Sequence, residues 1–247
     1  MRVVGCIVIA LTLCALTGWP GLLCSHALLD PEVAHAMLVE IAEHQSSARS
    51  ERNQEARAET LFRLGGRVQA LVDLLDQDAL AHDGPSPLAL LLLKRLEAYE
   101  VSVTYSEKGK RFSYDQAAFR QYLKLAPKGS HAAEARFQIL SEMFHATLTA
   151  GPSVVTPADR PGVIRAVTDE EQFLRDYPQH PKAKEVRFFL GVDCHRLSRD
   201  LADLNKAAQY ERCAKQALER VADEYPGSIE ARASSALLEA MSDVQPR

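Results

Sequence analysis

The side chains best equipped for chemistry in this 247-residue chain are its eight histidines, five cysteines and 33 acidic residues. His35 and His44 are nine residues apart and share no helical face closely, and His82 sits in a turn-like stretch. His131, His145, His180 and His195 fall on different segments, and His26 lies near the N-terminus. Zinc chemistry asks for close ligand pairs such as HExxH or CxxC, and neither occurs. Cys194 and His195 are adjacent, and neighbouring residues on a helix point apart, which argues against a thiol–imidazole pair. A serine elbow and a phosphate-cradling Gly-rich loop are both absent. Gly65-Gly66 reads as a close approach of two helices, because no strand precedes it and no Lys-Ser/Thr follows. Asp169-Glu170-Glu171 reads as an acidic helix start, with carboxylates facing the dipole or solvent. The basic stretch "SEKGKR" reads as a solvated loop tip. The pattern is that of a non-enzymatic protein without cofactor or metal.

The net charge is −4, from 29 basic and 33 acidic residues, which does not suit a nucleic-acid partner. The first 27 residues differ from the rest. Arg2 precedes the apolar run "VVGCIVIALTLCAL", Gly18, Pro20 and Gly21 interrupt it, and Ser25-His26-Ala27 supplies small residues at −3 and −1. This is the layout of a secretory signal peptide cleaved after Ala27. An uncleaved membrane anchor and lipidation at Cys24 are the competing readings, and only these two give membrane association. Each places the body of the protein in an exported, oxidising compartment. Removing residues 1–27 takes Arg2 away and leaves 28 basic against 33 acidic residues, net −5. It also leaves Cys194 and Cys213 as the remaining cysteines, an even number that suits a disulfide, with two free thiols as the alternative.

The elements that would position these groups are mostly helical, since Ala and Leu are abundant and cost little entropy in a helix. Three regions are expected: the signal peptide (1–27), a helical N-terminal region (28–114) and a run of helical repeats (115–247). Asp30-Pro31-Glu32 is a helix start, with an apolar face from Val33 to about Ala42. "HQSSARSERNQ" then reads as a connection. Leu61, Leu64, Val68, Leu71 and Leu75 recur every three or four residues on a second helix. Ser86-Pro87 opens a third, "LALLLLKRLEAY", too short for a membrane span and therefore expected in the core. "VSVTYSEKGKRFSY" is the strand-like stretch. With Glu107–Lys110 as loop, Tyr105 faces Phe112 and Val103 faces Tyr114 in a short β-hairpin near 101–114. The competing reading is helix to about Tyr105 and then loop.

Beyond Asp115 a unit recurs. "FRQYLKLAPKGSHAAEARFQIL", "EQFLRDYPQHPKAKEVRFFLG" and "LERVADEYPGSIEARASSALL" align on Pro127, Pro178 and Pro226. Tyr122, Phe173 and Val221 then share an apolar position in the first helix, and Ala135, Val186 and Ala231 share a position in the second. Proline removes a donor and biases the residue before it away from helix, so each first helix stops there. A pair of this kind cannot bury its apolar stripe alone, and pairs stack. "TAGPSVVTPADRPG" reads as a surface loop between pairs. Cys194 and Cys213 fall on helices that would reverse around Ala202–Leu204, side by side. A bridge there would contribute on the order of 3 kcal/mol.

The cadence Phe/Tyr…Tyr-Pro…Glu-Ala-Arg…Leu-Gly resembles the tetratricopeptide-like repeats of outer-membrane barrel-assembly lipoproteins of the BamD type. It also resembles those of the Tol–Pal accessory periplasmic proteins. The resemblance covers approximately Asp115 to Met241. It implies an all-α helix-pair solenoid in the periplasm, or on the periplasmic face of the outer membrane, of a diderm bacterium. The implied function is a scaffold that binds other envelope proteins or their terminal segments. An envelope enzyme such as a peptidoglycan-acting hydrolase, and a lipid or small-ligand carrier, are the alternatives.

Overall fold

Asp30 starts the first helix, its Oδ1 accepting from the amides of Glu32 (2.8 Å) and Val33 (3.4 Å). In this computed structural model, residues 29–149 and 155–243 are described. The expected signal peptide, with Cys24 and Ala27, lies outside them. The elements are α1 (Pro31–Ser50), α2 (Gln54–His82), α3 (Pro87–Ala98), β1 (Val103–Ser106), β2 (Arg111–Tyr114), α4 (Ala117–Leu125), α5 (Ala132–Thr149), α6 (Arg160–Asp176), α7 (Ala183–Asp200), α8 (Leu204–Glu224) and α9 (Ile229–Ser242). The fold is all-α, built from packed helix pairs, with one two-stranded antiparallel ribbon among the described residues. The chain divides into two compact units between Glu142 and Met143. The expected boundary at 114/115 coincides with the end of β2.

In the unit holding residues 24–142, α1 does not stop near Ala42 but runs to Ser50. The polar residues that suggested a connection occupy its solvent face, while Ala48 is buried. The break comes at Glu51–Asn53, where Asn53 caps α2 through the amides of Glu55 and Ala56. Leu61, Leu64, Val68, Leu71 and Leu75 are buried in the core of this unit. Ser86 caps α3 through Ala89 N–H. This helix is not fully enclosed: Ala89, Leu92 and Leu96 face inward, while Leu90 and Leu91 are 47% and 52% exposed. One stripe at spacings of three and four is all that a single packing surface can cover.

The ribbon pairs Val103 with Tyr114 and Tyr105 with Phe112, the hairpin register. Helix to Tyr105 is ruled out because α3 ends at Ala98 and Glu100 takes a left-handed conformation, φ 59°.

The three proline-marked segments form α4–α5, α6–α7 and α8–α9. The residues before the prolines, Ala126, Tyr177 and Tyr225, have nearly the same conformation (φ −135°, −133°, −130°; ψ 66°, 54°, 51°). Each donates its amide to the carbonyl of the shared apolar position, Tyr122, Phe173 or Val221. One turn further, Gly129, His180 and Ser228 donate back to Ala126, Tyr177 and Tyr225. Pro127, Pro178 and Pro226 thus impose one turn geometry on three different local sequences. Tyr122, Phe173, Val221, Ala135, Val186 and Ala231 are all buried.

In the unit holding residues 143–247, the expected surface loop is shorter than "TAGPSVVTPADRPG" suggests. Val155 is buried, and α6 begins at Arg160, with Pro161 in its first turn. The Arg160 guanidinium joins the carboxylate (2.9 Å) and carbonyl (3.2 Å) of Asp200, tying the start of α6 to the end of α7.

Candidate functional site

Cys194 on α7 and Cys213 on α8 form a disulfide with Cα atoms 6.0 Å apart, so Cys194 is no nucleophile. Asp203 starts α8 by accepting from Asn205 and Lys206 amides, which makes the reversal that brings the cysteines together. Close approach of the same helices is permitted by Gly191. A Cβ there would stand 2.7 Å from the Leu218 side chain.

The histidines do not converge. His131 stacks on Phe62 at 4.1 Å, and its amide donates to the Tyr122 hydroxyl (3.0 Å), bracing the first proline turn. His180 packs edge-on to Phe173 at 5.7 Å in the second turn. His82 lies against Asp78 near the C-terminus of α2. Burial holds the His195 imidazole down to about 4, with the Arg199 charge acting in the same direction, so it is neutral at physiological pH. Among the described residues no group of three or more His, Cys, Asp and Glu is arranged for a metal ion.

Two acidic clusters form that the sequence did not announce. In the first unit, Asp76 accepts from Phe112 N–H (2.5 Å), and Glu142 accepts from Arg111 (2.9 Å) and Ser113 (2.6 Å). Burial raises Asp76 to about 6 and pushes Glu142 and Asp73 up as well, while Arg111 pulls all three back. Asp76 and Glu142 are committed to holding β2 against helices. They do not form a free acid–base pair.

In the second unit, Asp169-Glu170-Glu171 is not a helix start: α6 begins at Arg160, and these residues lie in its interior. Glu170 is fully buried, and neither of its oxygens has a hydrogen-bond partner among the described residues. Burial and the adjacent Asp193 charge push its carboxyl well above the ordinary range. Asp193, also raised by burial to about 6, accepts from Arg196 Nη1 (3.0 Å). Arg196 also donates to the Thr147 hydroxyl (3.0 Å) and carbonyl (2.8 Å). A buried arginine neutralises one carboxylate, and the second is held as the neutral acid.

An open cleft of about 270 Å³ lies between α1 and α2, lined by His44, Arg63, Gly66 and Arg67. The glycine pair splits in role. A Cβ on Gly65 would stand 2.8 Å from the Phe119 ring, so close packing requires that glycine. Nothing lies within 4 Å of where a Cβ on Gly66 would stand. A mid-helix glycine costs about 1 kcal/mol relative to alanine, and at Gly66 no packing contact accounts for it. Arg63 meets Glu59 through Nε (3.0 Å), and Arg67 meets Glu40 through Nε (2.5 Å). Each guanidinium carries five N–H donors, so one contact through Nε does not exhaust it.

Of the sequence-derived candidates, the packing positions and the cysteine pair fall in helix interfaces. The cleft was not foreseen, apart from the Gly65-Gly66 signal that marks its floor. Comparison of the chain with protein-family models, with curated proteins and with solved structures finds no match.

Proposed function

We propose that this protein is a non-enzymatic scaffold of the cell envelope that binds other proteins through stacked tetratricopeptide-like helix pairs. Its work would lie in outer-membrane protein assembly or envelope maintenance. The observation that carries this reading is the recurrence of one helix–turn–helix geometry at Ala126, Tyr177 and Tyr225. Repeated hairpins generate extended side-chain surfaces, which serve partner binding more readily than a single reactive centre.

Ion pairs between successive hairpins add support. Arg187 on α7 reaches Glu224 at the end of α8 (2.8 Å), and Lys184 reaches Glu230 on α9 (3.2 Å). The Cys194–Cys213 bridge fits an exported protein, because disulfides persist in oxidising compartments. A hydrolase on this frame would need acids converging on an open pocket. Asp76 and Glu142 are instead taken up by the ribbon, and the cleft between α1 and α2 is lined by cationic side chains.

Crosslinking in intact cells, followed by recovery from envelope fractions, tests the reading. The expected outcome is a defined envelope protein crosslinked to the α4–α9 segment. Turnover of a cell-wall substrate by the purified chain, with no envelope partner recovered, would replace the scaffold with an enzyme.

A further inference from the structure

We infer that the cleft over Gly66 is a binding site for a phosphate group, whether free or carried as a headgroup. The donors come from two helices. Arg63 and Arg67 stand one turn apart on α2, and His44 lines the cleft from α1. Both guanidiniums already engage a carboxylate through Nε, and the His44 side chain lines the same cleft. A planar carboxylate matches one guanidinium fork. Two forks and an imidazole arranged around a cleft suit a tetrahedral oxyanion, whose oxygens point in different directions and whose second charge competes with Glu40 and Glu59.

Gly66 supplies the floor. Its missing side chain leaves open the volume that a ligand needs close to the helix backbone, which is the circumstance that favours glycine over alanine. The site is unlike a phosphate loop. A mid-helix amide is already bonded within the helix, so side chains rather than backbone N–H groups do the binding. The chain's net charge of −4 gives no long-range attraction, so recognition rests on these local donors. Arg63 and Arg67 are 64% and 43% exposed, and affinity should therefore fall as salt is added.

The test follows the Gly66 amide and His44 ring resonances of the full chain during titration with sodium phosphate, against sodium chloride at matched ionic strength. In parallel, flotation is measured with phosphatidylcholine vesicles, with and without phosphatidate. Saturable shifts with phosphate alone point to a free ion, and flotation only with phosphatidate points to a headgroup. In either case Gly66→Leu, which fills the cleft without a backbone clash, should weaken binding by about tenfold or more while melting no lower than the parent. Arg67→Gln should give the same loss, and it decides the matter if the leucine variant does not fold. Shifts matched by chloride, absence of binding in both arms, or binding unchanged in the variants would overturn the assignment.

Discussion

Gly65, Gly66 and Gly191 show how differently one residue type works at three helical positions. At Gly191 a methyl group would run into Leu218 at 2.7 Å, so Gly191→Ala should destabilise by about 1–3 kcal/mol through overpacking. Gly66→Ala meets nothing and should be neutral, or stabilising by up to about 1 kcal/mol. Urea unfolding of the two variants measures both effects, and equal destabilisation would refute the distinction. Glu170 is a second case. Its carboxyl is buried beside Asp193 and raised, so the folded protein holds a proton there that the unfolded chain releases. Stability from this group is therefore complete at low pH and lost as pH rises toward the folded value. Glu170→Gln keeps the shape and removes the titration. It should raise the melting temperature at alkaline pH and change it little near pH 4.

At the scale of elements, the ribbon of four residue pairs is tied to its helices by two carboxylates, Asp76 and Glu142. A two-stranded hairpin is marginal alone, and Asp76 anchors Phe112 to α2. Asp76→Asn retains an acceptor and should leave the Phe112 amide protected from hydrogen exchange, whereas Asp76→Ala should expose it. Comparable exchange in the two variants would show that the anchor is dispensable. The α7–α8 pair has a covalent tie. With its cysteines 19 positions apart in sequence, the Cys194–Cys213 bridge should contribute on the order of 3 kcal/mol, measured as the shift in unfolding midpoint on reduction. Cys194 is fully buried, so iodoacetamide should label the native, reduced protein at Cys213 before Cys194.

For the molecule as a whole, the titrating groups set a preference for mildly acidic conditions. Burial raises Asp76 and Asp193 to about 6, and Glu142, Asp73 and Glu170 shift in the same direction. Each contributes stability that is present below its unfolded value and is lost as pH rises through its folded value. His195, held down to about 4, acts oppositely: its contribution is present above about 6.5 and is lost as pH falls. Between pH 5 and 7.5 five raised acids outweigh the depressed histidine, while Asp83, Glu224 and Glu230, held below their ordinary values, lose their contribution only at lower pH. The melting temperature should thus be higher near pH 5 than near pH 7.5, and His195→Gln should steepen the rise. A maximum at or above neutral pH would contradict these assignments.

Much of the architecture is legible in the sequence because its causes are local. Proline at 127, 178 and 226 stops a helix wherever it falls, Asp30 and Ser86 cap their own helices, and alternation pairs Tyr105 with Phe112. The misread stretches are those where packing overrides composition. Polar residues after Ala42 stay helical because one face is covered, and Leu90 and Leu91 stay exposed because one face is not. The candidate site was scarcely legible. Gly65 and Gly66 are neighbours in sequence, and only the position of Phe119 on α4 separates a packing glycine from a cleft glycine. Glu170 looked like any acidic helix residue until α7 closed over it with Asp193 and Arg196. The sequence by itself determined the capped helix starts at Asp30 and Ser86 and the three proline turns, because those events depend on a few adjacent residues. Which side chains are buried, bridged or left facing a cleft was decided by the tertiary structure, because burial depends on what the chain brings back from a distance.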